Sequence, residues 1–357
     1  MSAWVKKRIN PQTLVGVFKD RLSTGRAIAK QGPLTQIDLL VLRVTSHDEQ
    51  VVEEETVRSV LELGSSSRMR VSHCIRVLME RLSKTNSWVV ALKCLNLIQT
   101  CLYDGGFMFQ DQFSVYPVNG GRNYLNLSNF RDASSPSTWA ISVRIRWRAR
   151  FIEQWIQTGR LIRCFLDARK DRSSKRIEKC LSVSNRKLLR DINALHDLLV
   201  LAASLETEES FEMHVLEKEG MRIIVAVIFS ACEEIKFRLH EAQARVATLQ
   251  TSEALVLSAV CEKLSKQSMV FRFLLELVRG ELLQDECSSF EQILFSNDNL
   301  MDLKRSFQLA CSSVRVSPSS EQSALPWYSS GTTSDEMKVR KNRSISAFAS
   351  SRSYISR

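Results

Sequence analysis

Apolar residues recur at three- and four-residue intervals in one segment after another, and that periodicity makes the chain read as all-α. Val71, Cys74, Ile75, Leu78 and Leu82 follow it, as do Trp88, Leu92, Leu95, Ile98 and Leu102. A short loop joins these two runs, the pattern of neighbouring antiparallel helices. Further helices are expected over residues 11–30, 34–44, 186–205, 252–279 and 287–311. Another runs from about Phe211 through Leu239, and a short one reaches Leu63 before Gly64-Ser65-Ser66-Ser67 stops it. Ser135-Pro136 reads as a helix start, with proline in the first turn. Only six prolines and twelve glycines occur in 357 residues, so few points interrupt a helix. No alternating strand pattern of useful length and no fixed-period repeat is present.

Hydrophobic residues at 44% and charged residues at 25% exclude a mostly disordered chain. From Ser313 the character changes. The last 45 residues hold fourteen serines and few aliphatics, which cannot bury enough apolar surface to fold alone. The organisation expected is an N-terminal helical segment (1–33), a helical core (34–165), a second helical half (166–312) and a disordered, Ser-rich basic tail (313–357). Within that tail Arg340-Lys341-Asn342-Arg343 leads into Ser344 and Ser346, a run whose charge phosphorylation would cancel.

The formal charge is +11, and residues 141–190 account for all of it, with fifteen Lys/Arg against four Asp/Glu. This run is either a solvated face or a patch for polyanions such as anionic lipid headgroups or nucleic acid. Arg144, Arg146, Arg148 and Arg150 alternate around Trp147, so they point all round a helix and do not line one face.

Nine dispersed cysteines with no CxxC read as reduced core thiols in a cytosolic chain. The strongest apolar run, Ile223 to Phe229, is far shorter than the ~18–20 residues of a membrane span. No apolar segment follows Lys6, Lys7 and Arg8, so no signal peptide is expected. Phosphate-loop, dinucleotide, GxSxG and HExxH signatures are all missing, and no His/Cys pair has zinc-ligand spacing. The expectation is therefore a protein that is not an enzyme and takes no cofactor or metal. His47 and His73 are expected to serve in packing or capping.

Several stretches then line up in one order. Leu42-Arg43-Val44-Thr45-Ser46-His47-Asp48 resembles the helix end "K/R-A-T-S/T-H" of ANTH-domain clathrin assembly proteins. Ser87-Trp88-Val89-Val90-Ala91-Leu92-Lys93 is similar to their "W-V-V-A-L-K" helix, and Arg122 to Asp132 to their "N-L-S-N-F-R-D" segment. Ser134-Ser135-Pro136, Trp139 and Trp147 continue the likeness. Phe109 to Pro117 with Gly120-Gly121 resembles the plant branch of that family. The resemblance implies a right-handed α-helical superhelix of the ANTH/ENTH type. It implies binding of phosphatidylinositol 4,5-bisphosphate membranes, clathrin and SNARE proteins as partners, and residence at coated pits, coated vesicles and the Golgi. Nucleic acid is not an expected partner.

The family's lipid motif is a basic residue, nine intervening residues, then Lys-x-Lys/Arg-His/Tyr. Arg43 fits the first position, but the later ones fall on Glu53, Glu55 and Thr56. Each carboxylate there would repel an inositol phosphate by roughly 1 kcal/mol near the surface. A second lipid contact is expected at Lys6, Lys7 and Arg8, which interleave with Trp4, Val5 and Ile9 as in an interfacial segment. The competing reading is a helical scaffold that has lost phosphoinositide binding and sorts SNAREs or receptor tails.

Overall fold

The computed structural model describes residues 11–116, 125–166, 181–205, 213–279 and 297–313. All lie within one compact unit, Met1–Val316. The expected N-terminal Lys6, Lys7 and Arg8 contact and the Ser-rich tail from residue 314 onward lie outside the described residues.

Eleven α-helices and no strand occur among the described residues, as the periodicity predicts. They are α1 (Pro11–Ala29), α2 (Thr35–Val44), α3 (Glu54–Leu61), α4 (Arg68–Lys84), α5 (Trp88–Tyr103), α6 (Gly106–Val115), α7 (Pro136–Ile162), α8 (Asn185–Ala203), α9 (Val215–Ala244), α10 (Thr251–Val278) and α11 (Asn297–Ser313). Side-chain chemistry sets several starts. Ser67 accepts a hydrogen bond from the Arg70 N–H at the head of α4. Ser135 and Thr138 form a reciprocal capping box on α7, with Pro136 in the first turn. The His214 ring accepts from the Leu216 N–H, while Glu217 reaches back to the His214 N–H.

The central element is α5. It is buried on nearly all sides, as its almost continuous apolar sequence requires. It packs against α4, α6, α7 and α9, and α7 and α9 both clasp α8. The final described helix, α11, lies along α10.

The arginines of α7 belong to this packing. Arg144 makes a two-pronged bond to Glu217, with Nε–Oε1 2.6 Å and Nη2–Oε2 2.9 Å. Arg146 donates to the Phe130 carbonyl. Arg148 is buried and donates to Asn96 Oδ1 at 2.9 Å and Gln99 Oε1 at 3.0 Å. Asn96 in turn donates to the Leu216 carbonyl and to Glu219. Three of the four alternating arginines thus tie α7 to α5, α9 and the 125–135 loop, and they are not a surface for polyanions. The packing explains the spacing: a helix surrounded by neighbours uses cations on several faces.

Candidate functional site

Helix α1 meets the rest of the molecule through its small and polar residues. Gly16 and Ala27 are buried, whereas Val17, Phe18, Leu22 and Ile28 stay exposed. A Cβ on Gly16 would stand 2.6 Å from the His47 Cβ, so only glycine lets α1 approach the end of α2 this closely. The midpoint of α1 is fastened by Asp20. Its carboxylate accepts from the His47 N–H at 2.7 Å, bonds His47 Nδ1 at 2.8 Å and accepts from Arg81 Nη2 at 2.9 Å. Arg81 also donates to the Thr45 carbonyl from Nε and Nη2. Burial pushes the Asp20 carboxyl upward, but the bonds from His47 and Arg81 outweigh it and leave it below its ordinary value. His47 is therefore a packing residue, as expected. So is His73, whose ring bonds Asp38 at 2.6 Å and Arg76 at 3.0 Å.

Beside this fastening a cleft of about 830 Å³ opens between α1, the end of α2, the second half of α4 and the start of α5. Leu22, Leu42, Val77, Trp88 and Val89 give it apolar surface. Trp88 is fixed by its backbone N–H donating to Asp132 and by an edge-on contact with the His214 ring, 4.9 Å between centroids. Cations line both sides. Lys19 and Arg26 come from α1, at positions sharing one helix face, and Lys30 from the turn that follows it; Arg76 and Lys84 come from α4. Among the described residues, the Lys19 ammonium and the Arg26 guanidinium hold no hydrogen bond or ion pair. Glu80 stands between Arg76 and Lys84, and the Lys84 hydrogen bond, with the Arg76 and Lys30 charges, holds its carboxyl below the ordinary value despite some burial. Asp38 and Asp132 in the lining are taken up by His73 and the Trp88 N–H, and Glu49 is an exposed acid at the rim. Cations therefore outnumber the remaining acids, and the half-open, partly apolar cleft suits a phosphate or carboxylate carried on a less polar body.

The aligned lipid-motif residues sit outside this cleft. Arg43 is exposed in the last turn of α2, one residue beyond Leu42 of the cleft wall. Glu53 occupies the N-cap position of α3 without a side-chain capping bond and Glu55 is exposed in its first turn, while Thr56 is buried. Glu54 pairs with Arg58. The aligned lipid-motif positions after Arg43 therefore present carboxylates and one inaccessible hydroxyl. The cleft cations were missed because α1 and α4 meet only in the fold. The seven-residue step from Lys19 to Arg26 was the available signal.

Among the described residues, no group of three or more His, Cys, Asp or Glu could hold a metal ion, and no helix is long and apolar enough to cross a membrane.

Residues 36–279 match the ANTH domain. The Arabidopsis thaliana protein named "Putative clathrin assembly protein At4g40080" is 32% identical over 258 residues, covering 70% of this chain and 71% of that protein. "Putative clathrin assembly protein At4g02650" from the same plant is 37% identical over 142 residues, 39% of this chain and 23% of that protein. A third, "Putative clathrin assembly protein At2g25430", is 34% identical over 143 residues, 40% of this chain and 22% of that protein. The match thus spans less than a quarter of the latter two relatives.

Proposed function

Because the chain belongs to the ANTH domain family, we propose that it is a non-enzymatic, clathrin-related adaptor that attaches peripherally to anionic membrane through the cleft between α1 and α4. One observation carries the reading. Lys19, Arg26 and Lys30 face Arg76 and Lys84 across an apolar cleft, while the motif positions following Arg43 hold Glu53, Glu55 and the buried Thr56. Phosphoinositide headgroups are the ligand this chemistry fits, since several phosphates need converging cations. Exposed Phe18 and the cleft-lining, exposed Leu22 give α1 an apolar face that can enter the headgroup layer. Arg43 and the N-terminal Lys6, Lys7 and Arg8 supply further cationic contacts. Coated pits and vesicles are the site of action, with clathrin and SNARE proteins as partners.

Vesicle co-sedimentation tests this. Full-length protein is mixed with neutral vesicles, phosphatidylserine vesicles and vesicles carrying phosphatidylinositol 4,5-bisphosphate, at low and physiological salt. Phosphoinositide-dependent binding that is lost in a Lys19→Glu/Arg26→Glu/Lys30→Glu variant supports the reading. Absence of binding at physiological salt overturns it and leaves the protein-binding scaffold.

A further inference from the structure

Glu80 is an acid set among the cations of the cleft. Arg76, Glu80 and Lys84 follow one another at four-residue steps, so all three share one face of α4. The Glu80 carboxylate bonds Lys84 Nζ at 2.5 Å and lies 3.8 Å from Arg76 Nη1. Lys30 reaches the same region from the turn after α1. About half of the Glu80 side chain is exposed, and its two partners are more exposed still. Pairs of this kind contribute little to folding, so stability does not account for a carboxylate in this place.

We propose that Glu80 is a resident counter-anion that sets the charge a headgroup must carry to enter the cleft. This rests on reading the cleft as a headgroup site. A singly charged headgroup offers Arg76 and Lys84 no more than Glu80 already gives them, and it meets the Glu80 charge on entry. A phosphomonoester carries about −1.5 to −2 charges and three strong acceptor oxygens. It therefore outcompetes the carboxylate for both cations and recruits Lys30, Lys19 and Arg26 as well. The consequence is discrimination by valence. Phosphatidylserine is held off while phosphoinositides are admitted.

The test compares the full-length wild type with Glu80→Gln on phosphatidylserine vesicles and on phosphatidylinositol 4,5-bisphosphate vesicles of equal total charge. Soluble inositol trisphosphate is added as competitor in a parallel arm. Glu80→Gln is expected to tighten phosphatidylserine binding about 3- to 10-fold and phosphoinositide binding by no more than about twofold, so that selectivity falls. Unchanged selectivity, or an equal gain on both vesicles, overturns the proposal while leaving the cleft as the binding site. Failure of the wild type to bind any vesicle overturns the cleft reading and the proposal together. Displacement by inositol trisphosphate locates recognition in the headgroup phosphates. Binding that the competitor leaves untouched overturns the valence mechanism. Thermal melting of Glu80→Gln matching that of wild type excludes a folding defect as the source of any change.

Discussion

The Arg148 guanidinium fills the space that a side chain at Gly220 would occupy. A Cβ built on Gly220 falls 1.5 Å from Arg148 Nη2, and 2.3 Å and 2.6 Å from the Asn96 and Gln99 side-chain oxygens that receive its hydrogen bonds. Burial pushes Arg148 down to about 10, still charged at neutral pH. Gly220→Ala must displace this buried cation or its partners. It is expected to destabilise the fold by about 3 kcal/mol or more, combining overpacking with a broken buried network. Urea unfolding checks this. Adding Arg148→Met should recover part of the loss, because the two sites share one space.

Asp20 fastens α1 to the body through His47 and Arg81. Its carboxyl titrates below the ordinary 3.8, so its contribution is complete above that value and is lost as pH falls through the lower, folded value. Asp20→Asn should cost about 1.5–3 kcal/mol at pH 7, the range for charged hydrogen bonds. Melting curves of wild type and variant should converge as pH falls below 3.8 and through the lower, folded value. A constant gap across that window would show that the charge of Asp20 is not what holds α1.

Reversing Lys19, Arg26 and Lys30 to Glu should weaken binding to phosphoinositide vesicles at least about tenfold, given about 1 kcal/mol per cation near an anionic surface. Circular dichroism should stay unchanged, since all three side chains are exposed. Reversing Arg43 alone should cost less, because it stands outside the cleft. Raising the salt should shrink both effects.

Burial pushes the thiols of Cys74, Cys94, Cys232 and Cys261 up to about 12 from an ordinary 9.0, and that of Cys101 well above it. At neutral pH a shift of that size cuts the reactive thiolate about a thousandfold. Mapping of alkylated cysteines by mass spectrometry should find these five unmodified in the native protein and modified once it is unfolded. The partly exposed Cys164 and Cys311 should label first among the described cysteines.

Local signals made most helices legible. Ser135-Pro136 marked the head of α7, and the apolar intervals of α4 and α5 placed those helices to within three residues at each end. Helix α6 was not read, because Gly105-Gly106 looks like the start of a loop although a ten-residue helix begins at Gly106. The last helix was expected from residue 287; it is described from Asn297, and residues 280–296 lie outside the described residues. The cleft was not legible, since Asp20 and Arg81 are 61 residues apart and no local pattern encodes their meeting. The arginines of α7 showed only that they share no single face. What they bind was hidden until Glu217 and Asn96 came beside them, 73 and 52 residues away in sequence.

That separation has a consequence on the ribosome. At about 5–20 residues per second, Glu217 and Gly220 leave the exit tunnel roughly 4–15 seconds after Arg144 and Arg148. Throughout that interval α7 carries two cations destined for the interior, and the acids and the gap that receive them have yet to be made. The N-terminal helices therefore cannot close around α7 as a finished unit. Synthesis of α9 is the step that lets the nascent chain close its interior around α7.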